Sequence, residues 1–256
     1  MRFVRYTYRN QPACYGWVNE NRVGPVEGNP VSEFRRLDAD LPLEKVQLLP
    51  PIIPGKIICI DNNYLAYAQR FDQNPAVFPS LFLKPPSSVI GHKQPIILPP
   101  QSKQVEHAAE LALVISKPGR WIPHETALDH ILGFTIANNI TARDIERQDN
   151  RPGRARYFDT FCPLGPWLET EFDAADALIT CHVNKEMRQM TSTRDMVFTL
   201  RQLIAFVSSI MTLYPGDVIL TGTPPGSGIL QPGDAVEITI EGLGTLSNPV
   251  VSSQLP

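Results

Sequence analysis

The pattern of apolar and polar residues predicts a chain built mostly of short β-strands. Residues 1 to about 50 contain two weakly alternating patches, FVRYTY and YGWV, then the turn-rich ENRVGPVEGNP and the polar stretch EFRRLDADLPLEK. Alternation with a period of two is typical of half-buried strands, so this segment predicts a small N-terminal β module with a linker. Short apolar runs at residues 56–60, 81–83, 95–99 and 134–137 predict further strands, of which the first opens the main sheet.

The most informative run is VEHAAELALVIS, residues 105–116, which predicts one buried strand. It places a carboxylate, Glu110, among Ala109, Leu111 and Ala112. Burying an unpaired carboxylate costs several kcal/mol, so a strand that does this at its centre predicts a functional site. Glu110 is therefore the first candidate for chemistry.

Helical patterns are few. Residues 196–213 repeat apolar positions at three- and four-residue intervals after a capping-box pair, Ser192 and Asp195, and Pro215 stops the run. This predicts one long core helix. A short helix is predicted to begin at residues 123–127, with Gly133 as its terminator.

Another short helix is predicted after Asn62 or Asn63, with Tyr64, Tyr67 or Ala68, and Phe71 on one face. It is either a surface helix packed by its aromatic residues or a mobile lid over a pocket, because it directly follows a core strand.

The fold class that follows is α+β, mostly β. The C-terminal third alternates strands with a glycine-rich loop and a turn, and 25 prolines punctuate the chain. We expect two parts: residues 1–50 as the small N-terminal β module and linker, and residues 51–256 as the main domain.

Composition excludes several classes of function. The net charge is −3 and like charges form no runs, so neither nucleic acid nor a membrane surface is an expected partner. Neither a signal peptide nor an apolar stretch of membrane-spanning length is evident. The four cysteines are far apart, which favours reduced thiols and a cytoplasmic location.

From residue 56 to residue 251 the chain resembles the fumarylacetoacetate hydrolase (FAH) family. The resemblance is carried, in order, by KIICIDNNY, LFLKPPSSVIG, PIILPP, AELALVI, GFTIANNITARD, FDTFCPLGPWL, VNKEMRQ, and PGDVILTGTP with PGDAVEITIEGLGTLSNPV. It implies a mixed β-sandwich roll and a homodimer. It also implies cleavage, decarboxylation or isomerisation of a small β-dicarbonyl or 2-oxo acid with Mg²⁺ or Mn²⁺.

The chain departs from the metal site of this family. The resemblance implies two glutamates at i and i+2 on one strand and an aspartate before TARD, and these positions hold Ala108, Glu110 and Asn139. The formal charge of the site falls from about −3 to about −1, and a hard dication binds such a site weakly. We therefore expect no cofactor, with Mg²⁺ or Mn²⁺ binding only if other residues restore the site.

Further departures affect the implied water-handling residues. The histidine and glutamate of the family's lid correspond to Tyr67 and Arg70, its lysine to Arg156, and a glutamine to Glu146. Together these changes disfavour hydrolysis by the family mechanism.

Other implied substrate-binding positions are retained at Lys84, Arg143, Asp144, Gln189, Thr221 and Thr223. Structural interpretations of these residues stay open. In these interpretations, Arg143 and Asp144 pair with each other or cap a turn, and Lys84 is a solvated strand end. The TGTP loop is then only a turn with a restricted backbone conformation. Aromatic residues in neighbouring motifs predict a more aromatic pocket and a bulkier, less charged substrate; they are Tyr64, Phe71, Phe78, Phe82, Tyr157 and Phe158.

Three functional hypotheses follow. The first is a metal-independent enzyme for keto–enol isomerisation, decarboxylation or ring closure, with Glu110 as base, Tyr67 as proton donor, and Arg156, Arg143 and Thr223 holding oxygens. The second is a non-catalytic binding or scaffold protein in which Glu110 pairs with Arg156 or Arg143. The third is an Mg²⁺-dependent C–C hydrolase.

Overall fold

A computed structural model of the chain describes residues 1–9, 11–66 and 77–253. Strands dominate these residues, as the sequence predicts. The strands are β1 (Arg2–Thr7), β2 (Cys14–Asn19), β3 (Arg22–Gly28), β4 (Phe34–Arg36), β5 (Leu41–Pro42), β6 (Gln47–Leu49), β7 (Ile57–Asp61), β8 (Ser80–Lys84), β9 (Val89–Ile90), β10 (Ile96–Leu98), β11 (Val105–Glu106), β12 (Ala109–Ile115), β13 (Ile131–Asn138), β14 (Thr141–Ala142), β15 (Cys162–Glu169), β16 (Leu178–Val183), β17 (Glu186–Ser192), β18 (Val218–Leu220), β19 (Ala235–Ile240) and β20 (Gly244–Ser252).

Helical structure is limited in the same residues. The α-helices that lie wholly within these residues are α1 (Arg143–Asp149) and α2 (Leu200–Ile210), and the 3₁₀ turns are Leu43–Lys45, Pro86–Ser88, His124–His130, Arg154–Arg156 and Thr193–Asp195. Residues 65 and 66, which directly follow the predicted cap, are also helical. In the described part of the chain, no helix is long and apolar enough to cross a membrane.

Two large sheets form the fold. The first sheet has 13 strands, and ten of them lie in the order β4-β3-β2-β1-β15-β13-β12-β18-β7-β8. The other three strands pair with members of this series: β5 with β3, β6 with β1 and β9 with β15. The second sheet has the order β10-β20-β19-β16-β17. The N-terminal strands join the main sheet through β1, which pairs with β15 at Arg2↔Glu169 and Phe3↔Leu168.

The central strand β12 is covered on both faces. Leu111, Leu113 and Ile115 point into the core that the two sheets share, whereas Ala112 and Val114 point into a second core on the other face. Antiparallel partners, β13 and β18, flank β12 on its two sides. This double burial explains why the run AELALVI is apolar almost throughout. Glu110, which alternates with Leu111, lies on the face of the second core.

Three predicted elements need correction. Residues 105–116 form two strands, because β11 pairs with β14 in a separate small sheet before β12 begins. The 123–133 segment is a 3₁₀ helix, His124–His130, and Gly133 lies within β13 rather than ending a helix.

The long helix is shorter than predicted. It begins at Leu200, where Thr199 and Gln202 form the capping box, and it ends at Ile210. Residues 196–199 are not helical because the backbone N–H groups of Val197 and Phe198 are bound by Asn63. The capping box predicted at residues 192 and 195 exists, but it caps the 3₁₀ turn Thr193–Asp195.

Candidate active site around Glu110

Glu110 lies opposite Ala137 in the β12–β13 pair and is 1% exposed. Its Oε1 accepts a hydrogen bond from Asn139 Nδ2 (2.8 Å), and its Oε2 accepts one from the backbone N–H of Gly222 (2.7 Å). Burial raises the pKa of Glu110 to about 7, although these two bonds favour the charged form. A carboxyl group with this pKa can both take and release a proton near neutral pH.

Gly222 donates to Glu110 because its backbone has a conformation that favours glycine. Its φ is +99°, and a Cβ at this position would lie 2.7 Å from the Cβ of Asn63. Asn63 is fixed in turn by donating to the carbonyl oxygens of Thr221 (2.8 Å) and Phe198 (3.2 Å). The loop after β18 therefore presents one backbone N–H to the carboxylate.

Lys84 is the last residue of β8 and is 2% exposed, so it is not a solvated strand end. Its ammonium group donates to Asn139 Oδ1 (2.9 Å) and to the Ile140 carbonyl (2.9 Å). The third N–H of this group has no acceptor within residues 1–9, 11–66 and 77–253. Burial lowers the pKa of Lys84 to about 8. Asn139 therefore links a buried ammonium group to a buried carboxyl group.

Arg156 is 4% exposed and does not bond to Glu110. Its Nη2 donates to Glu146 Oε1 (2.6 Å) and lies 3.6 Å from Asp61 Oδ2. Its guanidinium carbon lies 3.9 Å from the centre of the Phe82 ring. The positive charge of Arg156 lowers the pKa of Glu110 in opposition to burial, which places Arg156 within electrostatic reach of the carboxyl group.

Arg143 and Asp144 do not pair with each other. Arg143 bonds to Glu106 (3.1 Å) and Glu146 (2.6 Å). Asp144 accepts from the hydroxyl of Ser102 (2.6 Å) and from the backbone N–H of residue 103 (2.8 Å). These bonds outweigh desolvation and lower the pKa of Asp144. Asp144 therefore fixes a loop, and the pair of Glu110 with Arg143 expected for a non-catalytic protein is not formed.

Gln189, Thr221 and Thr223 hold the glycine-rich loop against β12. Gln189 accepts from the N–H of Ala109 (3.0 Å) and donates to Thr223 Oγ1 (3.0 Å) and to the Pro224 carbonyl (2.8 Å). The hydroxyls of Thr221 and Thr223 donate to carbonyls of β12. These three side chains are thus occupied by the protein itself.

The aromatic residues lie in different environments. Tyr64 is fully buried in the shared core, and its hydroxyl has no partner in the described part of the chain. Tyr157 is 46% exposed and Phe78 is 70% exposed, while Phe158 packs against the Phe161 ring. The described aromatic residues therefore give no support for a single aromatic pocket. Tyr67, Arg70 and Phe71, which the sequence places in the lid, lie outside the described residues.

The donor set at Glu110 does not fit a hard divalent cation. Both carboxylate oxygens already accept N–H groups, Ala108 offers no side-chain oxygen, and Asn139 Oδ1 faces the Lys84 ammonium. Mg²⁺ and Mn²⁺ are held by oxygen ligands, several of them charged, and a neighbouring ammonium group repels them. In the described residues, no three histidine, cysteine or acidic side chains form a cluster that could bind a metal.

Sequence reasoning missed three contributors to this site. Gly222 lies in a glycine-rich loop that can present backbone N–H groups to an anion, but the sequence does not indicate which N–H faces Glu110. Asp61 ends a strand and carries no local sequence signal. Glu146 was recognised as a departure from the family, but its spacing of ten residues from Arg156 did not indicate an ion pair. The available signal for this ion pair was that Glu146 and Arg156 stand where the resemblance implies a glutamine and a lysine.

The fold is rich in β-strands, and the candidate site contains a buried carboxyl group and a buried ammonium group that both hydrogen-bond to the side-chain amide of Asn139. Residues 56–251 match the family described as "Fumarylacetoacetate (FAA) hydrolase C-terminal", and residues 1–51 match "Rv2993c-like, N-terminal". The chain belongs to the fumarylacetoacetate hydrolase family.

Three relatives illustrate the activities found in this family. Oxaloacetate tautomerase Fahd2a, mitochondrial, of Rattus norvegicus is 42% identical over 232 residues, which cover 85% of this chain and 74% of the relative. A 2-hydroxyhepta-2,4-diene-1,7-dioate isomerase from Mycobacterium marinum is 37% identical, with a TM-score of 0.92 and complete coverage of both chains. The structure of maleylpyruvate hydrolase from Sphingobium sp. SYK-6 with manganese(II) and pyruvate is 30% identical, with a TM-score of 0.81 and coverage of 99% of this chain and 100% of that one.

Proposed function

We propose that this protein catalyses keto–enol tautomerisation of a β-dicarbonyl or 2-oxo acid without a bound divalent metal. The observation that carries the proposal is the buried arrangement of Glu110 and Lys84 on the two ends of the Asn139 amide. Two relatives are named a tautomerase and an isomerase, which supports this reaction over decarboxylation or ring closure.

The chemistry needs a base for a C–H proton and a cation for the oxygen that becomes negative. The carboxylate of Glu110 takes the proton from the α-carbon, the C–H electrons form the C=C bond, and the carbonyl π electrons move to oxygen. The ammonium group of Lys84 stabilises this enolate oxygen and gives it a proton. Glu110 then loses its proton and Lys84 regains one by exchange with water, which completes a balanced tautomerisation.

A specific observation favours a second candidate, a non-catalytic binding or scaffold protein in which this network is structural. Glu110 and Lys84 are 1% and 2% exposed, so a neighbouring segment must move before a substrate can reach them. If no such opening occurs, the network of Glu110, Asn139 and Lys84 only stabilises the fold. The cytoplasmic location and the homodimer implied by the family are part of this proposal, and neither is needed for the mechanism.

The experiment measures loss of the enol absorbance and solvent deuterium uptake at the α-carbon. Oxaloacetate and the larger acetopyruvate serve as substrates, with a chelator present. We expect the wild type to accelerate both signals and Glu110→Gln to lose about 10²- to 10⁴-fold in rate. Glu241→Gln, at an exposed position, is the matched control and keeps the wild-type rate. Equal rates for the wild type and Glu110→Gln would exclude the proposal and favour the non-catalytic binding or scaffold protein.

A further inference from the structure

A row of alternating charges runs beside Glu110. Asp61 lies 3.6 Å from Arg156, Arg156 lies 2.6 Å from Glu146, Glu146 lies 2.6 Å from Arg143, and Arg143 lies 3.1 Å from Glu106. The side chains at the outer ends of this row are 38% and 16% exposed, whereas that of Arg156 is 4% exposed. The most buried member is thus Arg156, whose charge acts on Glu110.

Glu146 is the residue that joins the two arginines. Its Oε1 accepts from Arg156 Nη2 and its Oε2 accepts from Arg143 Nη1. Glu146 and Arg143 lie on α1, whereas Arg156 comes from the 3₁₀ turn Arg154–Arg156. Desolvation would raise the pKa of Glu146, but the two guanidinium groups outweigh it and lower the pKa. Glu146 is therefore anionic, and both of its oxygens are occupied.

These contacts leave a buried donor of Arg156 without an acceptor in the described part of the chain. Its guanidinium group lies over the Phe82 ring and is held at Nη2 by Glu146. Its Nε–H is buried and has no acceptor among the described residues. Buried donors are normally paired, and a donor on a cation is best paired with an anionic oxygen. The missing acceptor is of the kind that a carboxylate or an enolate supplies.

We infer that Glu146 is a positioning residue of this site: it locks the guanidinium group of Arg156 against Phe82 and keeps the Nε–H free for an anionic oxygen of the substrate. Both oxygens of Glu146 bind arginine groups, so we assign Glu146 a role that acts on the substrate through Arg156. The inference rests on the proposed function only for the identity of that oxygen, a carboxylate or enolate of a 2-oxo acid.

The experiment follows the Arg156 Nε–H signal by NMR while oxalate is added. Oxalate is a planar dianion with paired oxygens and is not turned over by a tautomerase, so the measurement does not depend on catalysis. Glu146→Gln keeps the shape of the side chain but has only one oxygen to accept from two arginines. Asp149→Asn is the matched control, because Asp149 lies on the same helix and bonds to Arg154 (2.7 Å) on the exposed side.

We expect oxalate to shift the Arg156 signal in the wild type and to bind Glu146→Gln about 10- to 100-fold more weakly, the range for a lost charged hydrogen bond. Asp149→Asn should bind oxalate within about twofold of the wild type, since its ion pair is exposed. Glu146→Asp, which keeps both oxygens on a shorter side chain, should show a smaller loss and serves if Glu146→Gln does not fold.

Two results would overturn the inference: no response of Arg156 to oxalate in the wild type, or equal oxalate affinity of the wild type and the Glu146 variants. A protein that binds oxalate in a Glu146-dependent way but fails to tautomerise oxaloacetate or acetopyruvate would keep the inference and exclude the proposed function. The two failures are therefore distinguishable.

Discussion

Asn139 donates to Glu110 through Nδ2 at 2.8 Å and accepts from Lys84 through Oδ1 at 2.9 Å. An aspartate at this position could not make the first of these bonds, because an ionised carboxylate only accepts. The amide therefore lets a carboxyl group and an ammonium group share one buried site without direct contact. The same amide removes a charged oxygen that a divalent cation would need.

The first prediction concerns metal binding. The double substitution Ala108→Glu and Asn139→Asp places two carboxylates beside Glu110. It changes the formal charge of the three metal-ligand positions from about −1 to about −3. Calorimetry with Mn²⁺ should show affinity at least about 100-fold higher for the double variant than for the wild type, because affinity at such sites follows the number of charged ligands. Each single variant is the control and should bind only weakly. Wild-type protein that binds Mn²⁺ as tightly as the double variant would contradict our interpretation of the site.

The second prediction is the pH dependence of tautomerisation. Glu110 must be deprotonated to act as a base, so kcat/KM should rise as pH increases through about 7, the pKa of Glu110. Lys84 must be protonated to hold the enolate oxygen, so kcat/KM should fall as pH increases through about 8. The profile is therefore a narrow bell with its maximum between these values. Lys84→Met should lower kcat/KM and remove the decrease of kcat/KM at alkaline pH. If kcat/KM of this variant still decreases near pH 8, then a group other than Lys84 causes the decrease.

The third prediction is a change of stability with pH that depends on Glu110. Its pKa is raised from 4.5 to about 7 in the folded protein, so between these values the folded state binds more protons than the unfolded state. Stability from this group is complete below pH 4.5 and is lost as pH rises through about 7. The shift corresponds to about 3 kcal/mol.

Urea unfolding of the wild type and Glu110→Gln at several pH values measures this change. The difference in unfolding free energy between the two proteins should move against the wild type as pH rises to about 7 and stay constant above it. Glu241→Gln, compared in the same way, should show no such trend. A constant difference for Glu110→Gln would mean that burial does not shift the pKa of Glu110.

The sequence predicted the mostly β fold and the burial of Glu110, because AELALVI has the continuous apolar character of a strand covered on both faces. The resemblance placed Asn139 in the same site as Glu110, but the sequence could not predict that the Asn139 amide bonds to this carboxylate or that Gly222, 112 residues away, donates its backbone N–H to it. Those contacts depend on strand register and on the positive φ of Gly222, which short-range patterns do not encode. Lys84 was ambiguous for the same reason: a lysine at a strand end is usually solvated, and its buried partners Asn139 and Ile140 lie 55 and 56 residues away in the chain.

The last prediction separates a structural role of Gln189 from substrate binding. Gln189→Leu removes the acceptor of the Ala109 N–H and the donor to the Pro224 carbonyl, both in buried bonds. Leaving these groups unpaired should lower the unfolding free energy by about 2 to 5 kcal/mol and speed hydrogen exchange of the Gly222 N–H, because the loop loses its attachment to β12. Met190→Leu, at a 61% exposed neighbour on the same strand, is the control and should change stability by less than about 0.5 kcal/mol. If Gln189→Leu instead keeps its stability and raises only KM, then Gln189 contacts the substrate and the loop is held by its threonines alone.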